Sequence, residues 1–372
     1  MKKVLFISVY PSPYRVDFFT ELGRYSDLTV YFLRRPEEIK HRDAGWFADG
    51  YPGFTALFPT GKTFSIGKKK IFRDVKEIIL REWDVIVMHG WSEPTFMWAI
   101  NFMRRKKIPF VMEIDGGFVS DDGFLRKKVK KYFISGASAW LGTGRVPADY
   151  LISCGADPER IFTYPFTSQK KGDLPAFTDG DARQAAREAA KKRLGLSGPV
   201  ALSVGQFIPR KGFDVLIKSA ALLPGVGFVV VGGEAPPEYT ALRAETGAGN
   251  VSFAGFMKKD RLADYYLAAD VFVMPTREDI WGLVVNEALS FGLPVVSTDR
   301  CVAALELVRE GSTGYTVPPD DPEALSEATE KALRLDPARV CAEATASVKD
   351  YTIEKSAERH AELFETLGRR NS

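Results

Sequence analysis

Short apolar runs alternate with segments of helical period along almost the whole chain. In the first half, runs at residues 4–9, 28–33, 85–88, 110–114 and 139–141 have the length and content of strands. Amphipathic stretches such as 71–83 and 95–102 lie between several of them. The second half repeats the rhythm more cleanly, with strands expected at 200–204, 227–231, 251–253, 271–274 and 295–297, mostly followed by helical patterns. Strands that alternate with helices build a parallel sheet covered by those helices, so the chain is expected to be α/β with two Rossmann-like domains. Residues 170–181, rich in Lys, Gly, Pro and Asp, lose the periodicity and read as a linker. The expected division is 1–168, a linker and helix at 169–194, a second domain at 195–350, and 351–372 with a last helix whose packing the sequence leaves open. Two open sheets facing each other make a central cleft. Ligands of such sheets lie beyond the carboxyl ends of the strands, here the loops after Val204, Val231, Met274 and Ser297.

A length of 372 residues exceeds what one hydrophobic core organises, in keeping with two domains. No apolar run approaches the roughly 20 residues that span a bilayer. The apolar start Val4-Leu5-Phe6-Ile7 lacks a small-residue cleavage site and reads as a buried strand rather than a signal peptide. Cys154, Cys301 and Cys341 are odd in number and far apart, which argues against a disulfide framework or a thiolate metal cluster and fits a reducing cytoplasm. His41, His89 and His360 are too scattered to mark a metal site. No metal and no cofactor is expected, and catalysis falls mainly to Asp, Glu, Arg and Lys.

Charge changes the picture in one respect. The net +3 divides into about +7 over residues 1–168 and about −4 over the rest. The excess sits in runs at 68–70, 104–107 and 126–131. In 124–133 the apolar residues fall largely on one helical side among lysines; such a helix lies on an anionic membrane surface, peripheral to the inner face, or is simply a solvated basic face. No recognition module accompanies the charge, so nucleic acid is not an expected partner.

Candidate chemistry is densest at 274–289. A strand ends at Met274, a polar turn follows, and Gly282 opens a helix whose free N–H groups and dipole suit a diphosphate. Glu287, about a turn and a half into the helix, is placed to accept bonds from a ribose hydroxyl pair, and Asp279 to reach a sugar beyond the phosphates. A capped surface helix is the competing reading, because acidic residues favour helix N-termini. In the first half, Ser12 with Pro13 reads as the cap and first turn of a helix that carries Arg15 towards the cleft as a phosphate or acceptor contact. His89 ends a strand beside Gly90, either lining the cleft on the acceptor side or bonded to backbone.

The segment from Asp279 to Glu287 resembles the Glu-x7-Glu signature of family 4 retaining glycosyltransferases, with Asp in place of the first Glu and Glu278 beside it to share the role. Phe291-Gly292-Leu293-Pro294, Glu310-Gly311-Ser312-Thr313-Gly314, Gly205-Gln206-Phe207-Ile208-Pro209-Arg210-Lys211 and Val231-Gly232-Gly233 resemble that family too. The resemblance implies a GT-B fold and transfer of a sugar from a nucleotide diphosphate, UDP above all, to a glycan or lipid-linked acceptor held by the first domain. It places Glu278, Asp279, Trp281, Gly282, Leu283 and Glu287 around the donor. Lys211 carries over as the cation on the diphosphate, while Gln206 stands where the family has arginine, a role that passes to Arg210. The loops at Gly233 and Phe256 resemble nucleotide-base and donor contacts. By the same resemblance Asp115, in Glu113-Ile114-Asp115-Gly116-Gly117, takes the position of a cleft histidine, where it stabilises positive charge, orients the acceptor hydroxyl, or is only a turn aspartate. A sugar-nucleotide epimerase and a non-catalytic nucleotide-sugar binder are the alternatives.

Overall fold

The computed structural model describes residues 1–39, 50–61, 63–66, 69–175, 177 and 180–369. His41 and Lys68 lie outside them. The chain divides into two units, Met1–Lys171 with Tyr351–Ser372, and Gly172–Asp350.

The first unit runs β1 (Lys2–Ser8), α1 (Pro13–Leu22), β2 (Ser26–Phe32), β3 (Thr55–Leu57), β4 (Thr63–Ile66), β5 (Lys69–Phe72), α2 (Val75–Ile79), β6 (Val85–His89), α3 (Pro94–Lys106), β7 (Val111–Glu113), α4 (Phe124–Ile134), β8 (Ala139–Gly142), α5 (Arg145–Ser153) and β9 (Ile161–Thr163). Seven strands form one parallel sheet in the order β3-β2-β1-β6-β7-β8-β9, with β4 and β5 an antiparallel hairpin apart from it. Val4 to Ile7 of β1 are buried on both faces, which is why they read as an unbroken apolar run rather than an alternating one. The expected helix at 71–83 is a correction: Ile71 and Phe72 pair in the hairpin, and the helix is the short α2. Asp74 at its N-cap gives its carboxylate to Tyr31 Oη and Thr60 N, both at 2.9 Å, instead of capping.

The second unit runs α6 (Gly180–Leu194), β10 (Val200–Val204), α7 (Phe213–Ala221), β11 (Gly227–Val231), α8 (Pro237–Glu245), β12 (Val251–Phe253), α9 (Lys259–Ala268), β13 (Val271–Met274), α10 (Leu283–Ser290), β14 (Val295–Thr298), α11 (Val302–Leu307), β15 (Gly314–Val317), α12 (Pro322–Leu333) and α13 (Pro337–Val348). Its six strands are all parallel, in the order β12-β11-β10-β13-β14-β15. Helix α6, which the sequence groups with the linker, packs on α9 and α13 and belongs to this unit.

The last helix, α14 (Ile353–Arg369), belongs to the first unit and packs on α1. Its buried positions Ala357, His360, Leu363, Phe364 and Leu367 follow a helical period and form one stripe. The Phe364 and Phe6 rings meet edge-on with centroids 6.2 Å apart. Phe364→Ala is expected to cost the first unit about 3–5 kcal/mol. The measurement is urea unfolding followed by the fluorescence of Trp83, Trp91, Trp98 and Trp140, all in that unit. A loss below about 1 kcal/mol would place α14 outside the core.

Candidate functional site

In each sheet the strand order reverses once, between β1 and β6 and between β10 and β13, and the connections there leave to opposite sides. The polar candidates of both units gather at these points.

In the second unit, backbone closeness draws the strand-end loops together. A Cβ on Gly212, whose φ is 68°, would lie 2.0 Å from the Pro275 carbonyl oxygen, and one on Gly232 would lie 2.1 Å from that of Gly205. Only glycine permits these approaches. They bring the turn Pro209–Lys211 against the loop after β13, where Arg277 N donates to Arg210 O at 2.8 Å and Thr276 Oγ1 to the same oxygen at 3.0 Å. Arg277, which sequence reasoning did not single out, clamps the loop. It donates twice to Asp214, at 3.0 and 2.6 Å, and to Asp320 at 2.6 Å.

Lys211 and Asp279 meet as a result. Lys211 Nζ lies 2.5 Å from Asp279 Oδ2, and Arg210 Nη1 lies 3.3 Å from the same oxygen while also donating to the Glu278 carbonyl. The Asp279 backbone is fixed by bonds from its N to Arg300 O (2.7 Å) and to its O from Val302 N (3.2 Å). Gly282, at φ 103°, is the N-cap of α10, so no side chain caps that helix start. Glu287 is half-buried and accepts from Tyr266 Oη at 2.8 Å, the tyrosine ring stacking on Phe291. Cys301 underlies Gly282; burial, then the charge of Asp279, pushes its thiol up to about 12, so it is no nucleophile at neutral pH. Trp281 requires correction as a donor contact. Its indole is buried and donates to Asn286 Oδ1 at 2.8 Å, so it is a core side chain. Leu283 is half-buried, whereas Glu278 and Gly233 are exposed. Phe256 and Ile280 are 54% and 51% exposed, an apolar offer at the loop tips of which the sequence flagged only Phe256.

In the first unit, Arg15 also departs from expectation. It is 3% exposed, with Nη1 on Glu113 Oε1 at 2.6 Å and Nη2 bonded to Asp115 Oδ1, so it is a buried structural cation rather than an open contact. Ser12 occupies the N-cap of α1, but its side chain makes no capping bond. His89 Nε2 lies 3.1 Å from Asp115 Oδ2 and 2.7 Å from Arg15 Nη2, and its Nδ1 lies 3.1 Å from Ser8 Oγ. Tyr164 Oη donates to Asp115 Oδ1 at 3.3 Å. Glu113, wholly buried, meets His360 Nε2 of α14 at 3.1 Å through its other oxygen, and His360 Nδ1 faces Ser356 O at 2.7 Å. Glu113, Tyr164 and His360 carry no role that sequence reasoning assigned.

Burial raises the pKa of both carboxyls, but the charge of Arg15 outweighs it, helped at Glu113 by His360 and at Asp115 by His89. Both are held below the usual carboxylate range. Donor atoms of His89, Glu113 and Asp115 lie within 4.8 Å of one another, a grouping that could hold a metal ion and one that histidine spacing alone does not suggest. The Arg15 guanidinium supplies the positive charge that both carboxylates face.

Over its whole length the chain is similar to the sucrose-phosphate synthase of Thermosynechococcus elongatus, with a TM-score of 0.75, 21% identity and 100% of both chains covered. It is also similar to HepE of Anabaena in complex with UDP and glucose, with a TM-score of 0.71, 18% identity, and 98% of this chain and 100% of that one covered. With the two parallel sheets, these likenesses identify the fold as that of the GT-B glycosyltransferases. Residues 185–348 match the family model for glycosyl transferases group 1. Over 193 residues the chain is 35% identical to the D-inositol 3-phosphate glycosyltransferase of Mycolicibacterium gilvum, covering 49% of this chain and 41% of that one. The chain spans about two-fifths of the length of the curated relatives it matches.

Arg15→Met leaves Glu113 buried without its counter-ion and is expected to cost about 3–5 kcal/mol at neutral pH. The carboxyl pKa values are depressed in the folded chain, so the stability they contribute is present above their unfolded values near 4 and is lost as pH falls through the folded ones. The gap between wild type and variant should therefore be widest above about pH 5 and narrow in acid. Chemical unfolding across pH measures it, and a gap that does not change with pH would refute the assignment.

Proposed function

We propose that the chain is a retaining glycosyltransferase that moves a hexose or similar sugar from a UDP-linked donor to a glycan or lipid-linked acceptor without a metal. The observation that carries this reading is the cluster of Lys211, Arg210 and Asp279 where β10 and β13 adjoin, in the segment that matches the group 1 model. HepE, similar in fold, was solved with UDP and with glucose, which supports the choice of donor.

In the transfer, the bond from the anomeric carbon to the diphosphate oxygen breaks and a bond to the acceptor oxygen forms. The hydroxyl proton leaves with the diphosphate. Negative charge grows on the departing group, and Lys211, Arg210 and the uncapped start of α10 stabilise it. Lys211 is held by Asp279, so donor binding exchanges one oxygen partner for another and frees Asp279 for the sugar hydroxyls. Glu287, steadied by Tyr266, takes the ribose, and the exposed Phe256 ring offers an apolar face to the base. Asp115, oriented by Arg15, His89 and Tyr164, directs the acceptor hydroxyl.

UDP at about 100 times its dissociation constant should stabilise the chain by about 2.7 kcal/mol. Lys211→Ala should abolish that shift and lower kcat by about 10²–10³. The product should keep the donor's anomeric configuration, and EDTA should leave the rate unchanged. An inverted product, an EDTA-sensitive rate or no nucleotide shift would each remove the corresponding part of the reading.

Helix α4 supports a peripheral membrane role. Phe124, Leu125, Val129 and Tyr132 are exposed alongside Arg126, Lys127, Lys128 and Lys131, whereas Lys130 is buried and pairs with Asp122. Among the described residues no helix is long and apolar enough to cross a membrane. The chain is expected to sediment with phosphatidylglycerol vesicles and not with phosphatidylcholine ones, and Leu125→Asp with Lys128→Glu should release it. Equal sedimentation of wild type and double variant would rule the surface out.

A further inference from the structure

We propose that the second unit carries a binding site for an amphipathic phosphate monoester at the end of its sheet opposite Lys211 and Asp279. A cavity of about 710 Å³ opens between α6, the turn from α12 to α13, and residues just before β10, β13 and β14, namely Pro199, Asp270 and Pro294. All strands of this sheet run parallel, so these residues mark its amino end, whereas Lys211 and Asp279 follow carboxyl ends. The volume falls within the range of small-molecule sites.

The two walls differ in chemistry. Arg183, Arg187 and Lys191 recur every four residues on one face of α6, with Lys192 beside them, while Leu196, Leu293, Leu335 and Val340 supply apolar surface. Only two carboxylates, Glu188 and Asp270, line the cavity among the described residues. Asp270 is already engaged by Lys191 Nζ at 2.6 Å, Arg187 Nη1 at 2.8 Å and Val200 N at 2.8 Å.

Arg183 is the unusual group. It is 4% exposed, yet its hydrogen bonds go to neutral carbonyls, from Nε to Phe291 O at 3.2 Å and from Nη2 to Ala269 O at 2.9 Å. Its Nη1 makes no hydrogen bond among the described residues; the Nε of Arg187 makes none either, its nearest carboxylate oxygen being Glu188 Oε1 at 3.7 Å. Burial and then the charge of Arg187 lower the Arg183 pKa to about 10. Buried charges are ordinarily paired. A phosphate monoester brings the missing negative charge in a shape that guanidinium and ammonium groups recognise, and an apolar body to meet the leucines.

The test is calorimetry on the full chain with hexyl phosphate, inorganic phosphate and hexanol as probes. Hexyl phosphate should bind the wild type and Lys211→Ala alike, inorganic phosphate should bind more weakly, and hexanol should not bind measurably. Lys192→Glu and Arg187→Gln should each weaken hexyl phosphate tenfold or more. Lys192 is exposed, so its variant should fold even where loss of the Arg187 bond to Asp270 disturbs packing. The proposal is overturned if hexyl phosphate does not bind, if Lys211→Ala abolishes its binding, if Lys192→Glu keeps wild-type affinity, or if inorganic phosphate binds as tightly.

Discussion

Each sheet reverses its strand order at one place, and that reversal decides where polar side chains converge beyond the carboxyl ends of the strands. Along their lengths the strands are covered by helices, and a charge there would be buried without room for partners. Where β1 adjoins β6 and β10 adjoins β13, the loops diverge and leave backbone and side chains able to converge. Arg15, His89 and Asp115 collect at the first point, and Gly205, Lys211 and Asp279 at the second. The two units thus place their chemistry by the same topological rule while using different residues.

The two clusters differ in how their charges are compensated. In the first unit Arg15 and Glu113 are buried and bonded to each other, and Asp115, His89 and His360 offset the desolvation cost by engaging both Arg15 Nη atoms and the second Glu113 oxygen, although Arg15 Nε makes no hydrogen bond among the described residues. Such a network is rigid and ill suited to letting go of a partner. Lys211 and Arg210 converge instead on one oxygen of Asp279; Arg210 is exposed but Lys211 and Asp279 are largely buried, so the carboxylate gives up its cations only where an incoming anion and new hydrogen bonds replace them.

That difference also explains what could be seen in the sequence. The second cluster is built from short segments, each with its glycines and charges close together along the chain, so Asp279, Gly282 and Glu287 could be placed by counting, and Gly205 with Lys211 by resemblance. The first cluster joins residues far apart. Glu113 meets His360 across 247 positions, a partnership that periodicity cannot signal. Glu113 was hidden further by ending an apolar strand, and His360 by lying in a helix that could have packed on either unit. Trp281 failed for the opposite reason: its place in a motif suggested contact, but an indole with an asparagine acceptor five residues on satisfies itself inside the core.

The terminal helix ties these points together. Its apolar stripe alone would justify packing against α1, since Phe364 meets Phe6 and Leu363 and Leu367 are buried. Yet the same stripe holds His360, a polar residue that such a surface accepts only when its ring nitrogens are satisfied. Ser356 O on its own helix and Glu113 at the end of β7 lie within hydrogen-bond distance of those nitrogens, at 2.7 and 3.1 Å. Glu113 in turn grips Arg15 with its other oxygen, and Arg15 holds Asp115. The packing of the last helix and the orientation of Asp115 are therefore one structural problem, because a shift of α14 along α1 would unpair Glu113 before it exposed much apolar surface.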